Sequence, residues 1–166
     1  MIRRAACILA LATPLMLSAC GFQLRGSGDT ALPFKSIYVG LPENSALGSE
    51  LKRYIRADDH TQVVSDPKAA QVILDVLSES REKAILSLNT QGRIREYTLY
   101  YKLRFRVRDG QNKELIAPTD ITLKRDISFN ESAVMAKENE EALLYRDMQS
   151  DLVQQLLRRL HAIKSA

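Results

Sequence analysis

The chain has 166 residues, 24 Lys and Arg against 20 Asp and Glu, a formal net charge of +4 and two Cys. That length suits one domain with a core of its own. So weak a basic balance does not point to nucleic acid, and where the cations lie matters more than how many there are.

Residues 1–4 hold Arg3 and Arg4 and no acid, and residues 5–17 are an almost unbroken apolar run. A positive start, a short apolar stretch and small residues before a cut site make an export signal. The run is shorter than the ~20 apolar residues of a bilayer-spanning helix, and Pro14 interrupts it. Leu17-Ser18-Ala19-Cys20 then places a thiol directly after the small-residue site, the order of a bacterial lipobox. In a lipobox the thiol is diacylated, the chain is cut before the cysteine, and the new amine can be acylated. A plain cut after Ala19 with a free thiol is the alternative. Two or more acyl chains anchor a protein stably. The expectation is therefore a signal peptide over residues 1–19 and a lipid anchor on Cys20, with no cofactor beyond the covalent N-acyl and S-diacylglycerol lipid. Cys7 leaves with the signal and Cys20 carries lipid, so no internal disulfide is expected even in an oxidising compartment.

Residues 27–35 read as a Gly-, Ser- and Pro-containing tether, so that residues 20–35 form the lipidated N-terminus and residues 36–166 a single domain. Ile37, Val39 and Leu41 alternate as in a short strand. Pro42 breaks it, and Asn44 or Ser45 can cap the helix whose apolar face is Leu47, Leu51, Tyr54 and Ile55. Val63-Val64 leads into a turn at Asp66-Pro67. Residues 71–78 are strand-like, with Val72, Leu74 and Val76 on one face. Polar residues 80–83 loosen the pattern before Ile85, Leu86 and Leu88 resume it, and Asn89-Thr90-Gln91-Gly92 is a hairpin turn.

The clearest strand follows. Tyr97, Leu99, Tyr101, Leu103, Phe105 and Val107 share one face, and Thr98, Tyr100, Lys102, Arg104, Arg106 and Arg108 the other. After a turn at Asp109-Gly110, residues 115–129 return with Ile121, Leu123, Ile127 and Phe129 inward. Arg125 interrupts that inner face, so it lies near an edge or finds a partner. Pro118 demands a bulge or an edge. From Ser132 the period becomes helical, with Leu144, Met148, Leu152, Leu156 and Leu160 in a stripe. The order β-α-β-β-β-α predicts an α+β two-layer sandwich: a four-stranded, mostly antiparallel sheet with both helices on one face and the other face polar and open.

Lys102, Arg104, Arg106 and Arg108, with Lys124 beside them, form a same-sign stripe. Such a stripe is either a solvated, pairing-averse face or a surface that meets an anion. Arg93 and Arg95 flank the hairpin turn, where two guanidiniums can grip phosphate in bidentate fashion. Lys137 stands in the first turns of the last helix, where the helix dipole favours acids, so its position there calls for another reason. Catalytic patterns are poor. His60 and His161 have no metal-type spacing, Asp58-Asp59-His60 reads as a solvated loop, and nothing marks Glu79 with Glu82 as a catalytic pair. Ser80-Arg81-Glu82-Lys83 fits S-x-x-K without its companion motifs. No enzyme activity is expected.

Cys20-Gly21-Phe22-Gln23-Leu24-Arg25-Gly26 resembles the mature N-terminus of the lipopolysaccharide-assembly lipoproteins, the LptE family. Asp66-Pro67-Lys68-Ala69-Ala70, Glu96-Tyr97 and Ala136-Lys137-Glu138-Asn139-Glu140 match in the same order, each weakly. A long polar C-terminal tail found in some members is missing. The resemblance implies an outer-membrane lipoprotein on the periplasmic side that plugs a β-barrel partner, LptD, helps it assemble, and binds lipopolysaccharide. It implies that contacts come from among Arg93, Arg95, Lys102, Arg104, Arg106, Lys124 and Lys137, and that reversing Arg104 and Arg106 to Glu weakens lipopolysaccharide binding with the fold intact. A lipid-anchored periplasmic scaffold for peptidoglycan or another envelope protein is the rival, and a lipoprotein hydrolase a weaker one.

Overall fold

A computed structural model describes residues 31–57 and 60–163. The signal segment, Cys20, the start of the tether, Asp58-Asp59 and residues 164–166 lie outside the described residues. The elements are β1 (Ser36–Gly40), α1 (Ala46–Arg56), β2 (Gln62–Val64), β3 (Val72–Leu88), β4 (Ile94–Asp109), β5 (Glu114–Ser128) and α2 (Val134–His161).

The sheet has five strands in the order β2-β1-β3-β4-β5, one more than expected. Gln62–Val64, read as a lead-in to a turn, pairs parallel with β1. β1 also runs parallel to β3, over only Val72 to Asp75, while β3, β4 and β5 form the antiparallel meander. Gly40 permits the close β1–β3 approach: a Cβ there would lie 2.9 Å from the Leu74 carbonyl oxygen.

α1 begins where Ser45 accepts a hydrogen bond from Gly48 N–H at 3.0 Å. It buries Leu47, Leu51 and Ile55, whereas Tyr54, assigned to the same face, is 42% exposed under the Arg53 guanidinium. α2 buries Met148, Leu152, Val153, Leu156 and Leu160. These side chains meet Leu99, Tyr101, Leu103, Phe105 and Val107 of β4 in one core, which also holds Leu32 and Phe34. The last residues read as tether, from Ala31 on, are thus part of the folded unit. Each buried aliphatic side chain contributes about 1.5–3 kcal/mol relative to exposure.

Arg125 meets both of its conditions: it stands on the edge strand β5 and donates to Asp151 at 2.8 Å. Pro118 falls in a register shift of β5 between the partners of Phe105 and Val107. β3 differs from expectation, because it continues unbroken through residues 80–83. Glu79, Arg81 and Lys83 are opposite Leu103, Tyr101 and Leu99, so their side chains lie on the helix-bearing face. There Tyr101 donates to Glu79 at 2.5 Å, and Arg81 Nη2 donates to the Tyr101 hydroxyl at 3.1 Å and to Gln149 at 3.0 Å. Gln149 in turn donates to Glu50 of α1 at 2.7 Å. Polar side chains substitute for apolar ones here because each has a partner. Among the described residues no buried side-chain polar atom is left without one.

Candidate functional site

The candidate cations fall into two groups. Lys102, Arg104, Arg106 and Lys124 lie on the open sheet face, together with Arg108, since residues of one parity along a strand share a face. The stripe is not a bare row of like charges. Adjacent strands bring acids to it: Lys102 Nζ donates to Glu82 at 2.7 Å, and Arg106 Nε and Arg108 Nε both donate to Asp75 Oδ2, at 2.9 and 2.8 Å. Burial pushes the Asp75 carboxyl up, but the hydrogen bonds from Arg108 and Arg106 outweigh it and hold it below the usual range. The same bond raises Arg108, and the Lys102 ammonium lowers Glu82. Repulsion among the like charges of the stripe is therefore largely relieved inside the sheet. Among the described residues, the side chains of Arg104 and Lys124 are the candidates on this face left without a carboxylate partner.

Arg93, Arg95 and Lys137 gather at one end of the sheet, around the β3–β4 hairpin and the start of α2. The hairpin turns at Gly92, which has φ +76° and is one of the few places where glycine is needed. Asn89 Oδ1 accepts from the backbone N–H groups of Gln91 and Arg93. Arg93 reaches Glu131 at 3.3 Å, both side chains being more than half exposed. Lys137 donates to Ser128 at 2.9 Å and Glu140 at 2.8 Å. The unexpected lysine in the first turns of α2 is thus accounted for by the β5 hydroxyl it reaches across to. Arg95 is exposed, and its carbonyl accepts from Phe129 N–H at 2.8 Å.

Sequence reasoning missed what accompanies these cations. Lys83 stands over the Tyr97 ring at 4.3 Å and donates to Glu141 at 2.6 Å. Lys83, Tyr97, Phe129, Val134 and Lys137 line one small recess of about 60 Å³. Around it Ile85, Leu86, Leu88, Val134 and Met135 are exposed, Met135 to 74%. One signal was available. Ile85 and Leu86 are consecutive apolar residues, which a regular strand does not bury together, and the register shift between Ile85 and Ser87 leaves Leu86 as an extra residue without a cross-strand partner on β4. The end opposite this hairpin is where residues 31–35 enter β1, beside Gln62 and Val72.

The model of the family described as LptE, lipopolysaccharide-assembly, matches residues 34–160. This chain belongs to the LptE family. The chain is 27% identical over 162 residues to the LPS-assembly lipoprotein LptE of Pectobacterium atrosepticum, covering 96% of this chain and 85% of that one. Among solved structures, an uncharacterized lipoprotein B from Nitrosomonas europaea superposes with a TM-score of 0.73 at 39% identity, over 86% of this chain and 91% of that one. The rare lipoprotein B of Shewanella oneidensis, 23% identical with a TM-score of 0.66 over 77% of this chain and 95% of that one, shares the fold. An LptE-family chain is a non-enzymatic assembly lipoprotein, and the site to explain is accordingly a binding surface rather than a catalytic pocket. Within the family match lie both cation groups and the whole exposed apolar rim.

Proposed function

We propose that this LptE-family protein is lipid-anchored through Cys20 to the periplasmic side of the outer membrane. There it binds lipopolysaccharide with its hairpin end and a β-barrel partner, LptD, with its open sheet face. It assists assembly of that barrel and sits in it as a plug on the route of lipopolysaccharide to the cell surface. The observation that carries the reading is the meeting of cations and exposed apolar side chains at one end. Lipopolysaccharide is an amphiphile whose lipid A bears phosphates beside acyl chains. Arg93, Arg95 and Lys137 supply charge-assisted donors for phosphate, and Ile85, Leu88, Val134 and Met135 supply the apolar rim that acyl chains need.

The open face suits a different partner. Lys102 and Arg106 are already paired, so Arg104 and Lys124 are left to make polar contacts with a barrel wall. A face mostly neutralised within itself avoids the cost of bringing unpaired charge against another protein. The hairpin end lies at the opposite end of the sheet from the entry of residues 31–35 into β1.

The test is purification of the tagged, lipidated protein from its own membranes in mild detergent. Recovery of a stoichiometric barrel partner supports the proposal. Recovery alone, or with peptidoglycan, overturns it in favour of a periplasmic scaffold.

A further inference from the structure

The first half of α2 and the second half of β3 meet along a seam. Val134, Glu138, Glu141 and Tyr145 recur at spacings of three and four, so one stripe of the helix lines it. The recess beside Tyr97 is one hollow in this seam. The next is an open cleft of about 580 Å³, lined by Arg81 and Lys83 of β3 and by Glu138, Glu141, Tyr145 and Arg146 of α2. Lys83, Glu138 and Glu141 line both hollows, so the two run into one another as a single groove. The Tyr145 hydroxyl donates to the Glu82 carbonyl at 2.8 Å and ties the helix to the strand there.

Charge alternates along the groove. Lys137, with Arg93 near it, stands at the hairpin end. Glu138 and Glu141 lie in the middle, where Lys83 is taken up by Glu141. Arg81 and Arg146 stand at the far end. Among the described residues neither of these two has a carboxylate partner. Arg146 is exposed. Arg81 is fixed by its two bonds from Nη2 to Tyr101 and Gln149, with its guanidinium 4.6 Å from the Tyr101 ring centre and 5.5 Å from that of Tyr145. A guanidinium has donors on Nε and Nη1 as well, and a side chain fixed in advance loses little freedom when an acceptor arrives. Arg146 comes nine residues after Lys137 on the same helix, about 14 Å at the helical rise. One phosphate cannot reach both ends of such a groove, whereas phosphates on the two ends of a disaccharide can.

We propose that the groove holds the headgroup of lipopolysaccharide lengthwise, with one phosphate at Lys137 and Arg93 and the second at Arg146 and Arg81. The inference rests on the hairpin-end reading above and adds a second anion subsite to it. Glu138 and Glu141 then meet the hydroxyl and amide groups of the sugars, which donate to carboxylates. The cation–acid–cation order of the groove thus matches a phosphate–sugar–phosphate ligand. A glycerophospholipid, with its single phosphate, fills one subsite only.

The experiment measures equilibrium binding of the purified mature protein to lipid A with both phosphates and to its monophosphoryl form, in one detergent and one salt. Wild type is compared with Arg146→Ala and with Arg158→Ala, which removes an exposed cation of α2 outside the groove. Alanine suits a helix interior, and Arg146 is exposed and carries no ion pair, so Arg146→Ala keeps its fold. The expected result is binding of the doubly phosphorylated ligand weakened roughly fivefold or more by Arg146→Ala. Binding of the monophosphoryl form should stay within about twofold, because side chain and second phosphate act as one coupled pair. Arg158→Ala should change neither. Equal loss for both ligands in Arg146→Ala is a general charge effect and overturns the proposal. So does unchanged binding of the doubly phosphorylated form; if Arg93→Glu with Lys137→Glu still weakens it, the hairpin-end reading stands without the second subsite. If wild type binds neither ligand, both readings fall.

Discussion

Arg108 Nε lies 2.8 Å from Asp75 Oδ2, and the same oxygen accepts from Arg106 Nε at 2.9 Å. One carboxylate on β3 thus ties down two of the four cations that β4 presents. Because the folded-state pKa of Asp75 is depressed, its contribution is fully present at neutral pH and is lost as pH falls through the folded value. Asp75→Asn should lose about 1–2 kcal/mol at pH 7, from the range for hydrogen bonds to charged groups discounted for partial exposure. The gap to wild type should close below the usual carboxylate range. Urea titrations of both proteins at pH 7 and pH 3 check this.

Tyr101 behaves in the opposite sense. Burial and the hydrogen bond to Glu79 push its hydroxyl up from 10.0 to about 12. A raised folded pKa stabilises below the unfolded value, and the gain, about 2–3 kcal/mol for two units, is lost between pH 10 and about 12. Absorbance titration of the phenolates should show Tyr101 ionising last, near 12 or only on unfolding, after Tyr145, which burial and Glu141 also push up. Tyr101→Phe should remove that late step and lower stability at pH 7 by about 1–3 kcal/mol, because it removes the hydroxyl to which Arg81 donates and which donates to Glu79.

Arg104 and Arg106 look interchangeable in sequence but are not in the sheet. Arg106→Glu sets a carboxylate beside Asp75 and should cost about 1–2 kcal/mol. Arg104→Glu breaks no ion pair but sets a carboxylate opposite Asp120 on β5, and should cost less, about 0.2–1 kcal/mol. Thermal midpoints of the two variants test the difference, and co-purification with the barrel should fall severalfold for Arg104→Glu if the open face meets it.

Gly92 makes a separable probe of the hairpin end. A Cβ there has nothing within 4 Å, so Gly92→Ala brings only the strain of φ +76°, about 1 kcal/mol. The loss should be confined to the hairpin, with faster amide exchange over residues 86–95 and unchanged exchange in α2.

Periodicity made most of the architecture legible. The alternation from Tyr97 to Val107 and the stripe from Leu144 to Leu160 gave β4 and α2 with the correct buried faces. Three residues of β2 carried too little pattern to be seen. The second half of β3 was obscured because Glu79, Arg81 and Lys83 break the apolar alternation on the helix-bearing face, which becomes intelligible only when Tyr101, Gln149 and Glu141 are found against them. The cations themselves were legible, but their pairing was not, since Asp75 and Glu82 reach the stripe across the sheet from more than eighteen residues away in sequence.

The central claim, that the hairpin end holds lipopolysaccharide, is tested most directly by its equilibrium binding to the purified mature protein. Arg93→Glu with Lys137→Glu is compared with Arg104→Glu. The ion pair of Arg93 is exposed, and that of half-buried Lys137 is a local i,i+3 pair within α2, so neither carries the core and the double variant should fold. The account predicts affinity at least tenfold weaker for the double variant and within twofold of wild type for Arg104→Glu. Equal affinity in the double variant, or a greater loss in Arg104→Glu, would contradict it.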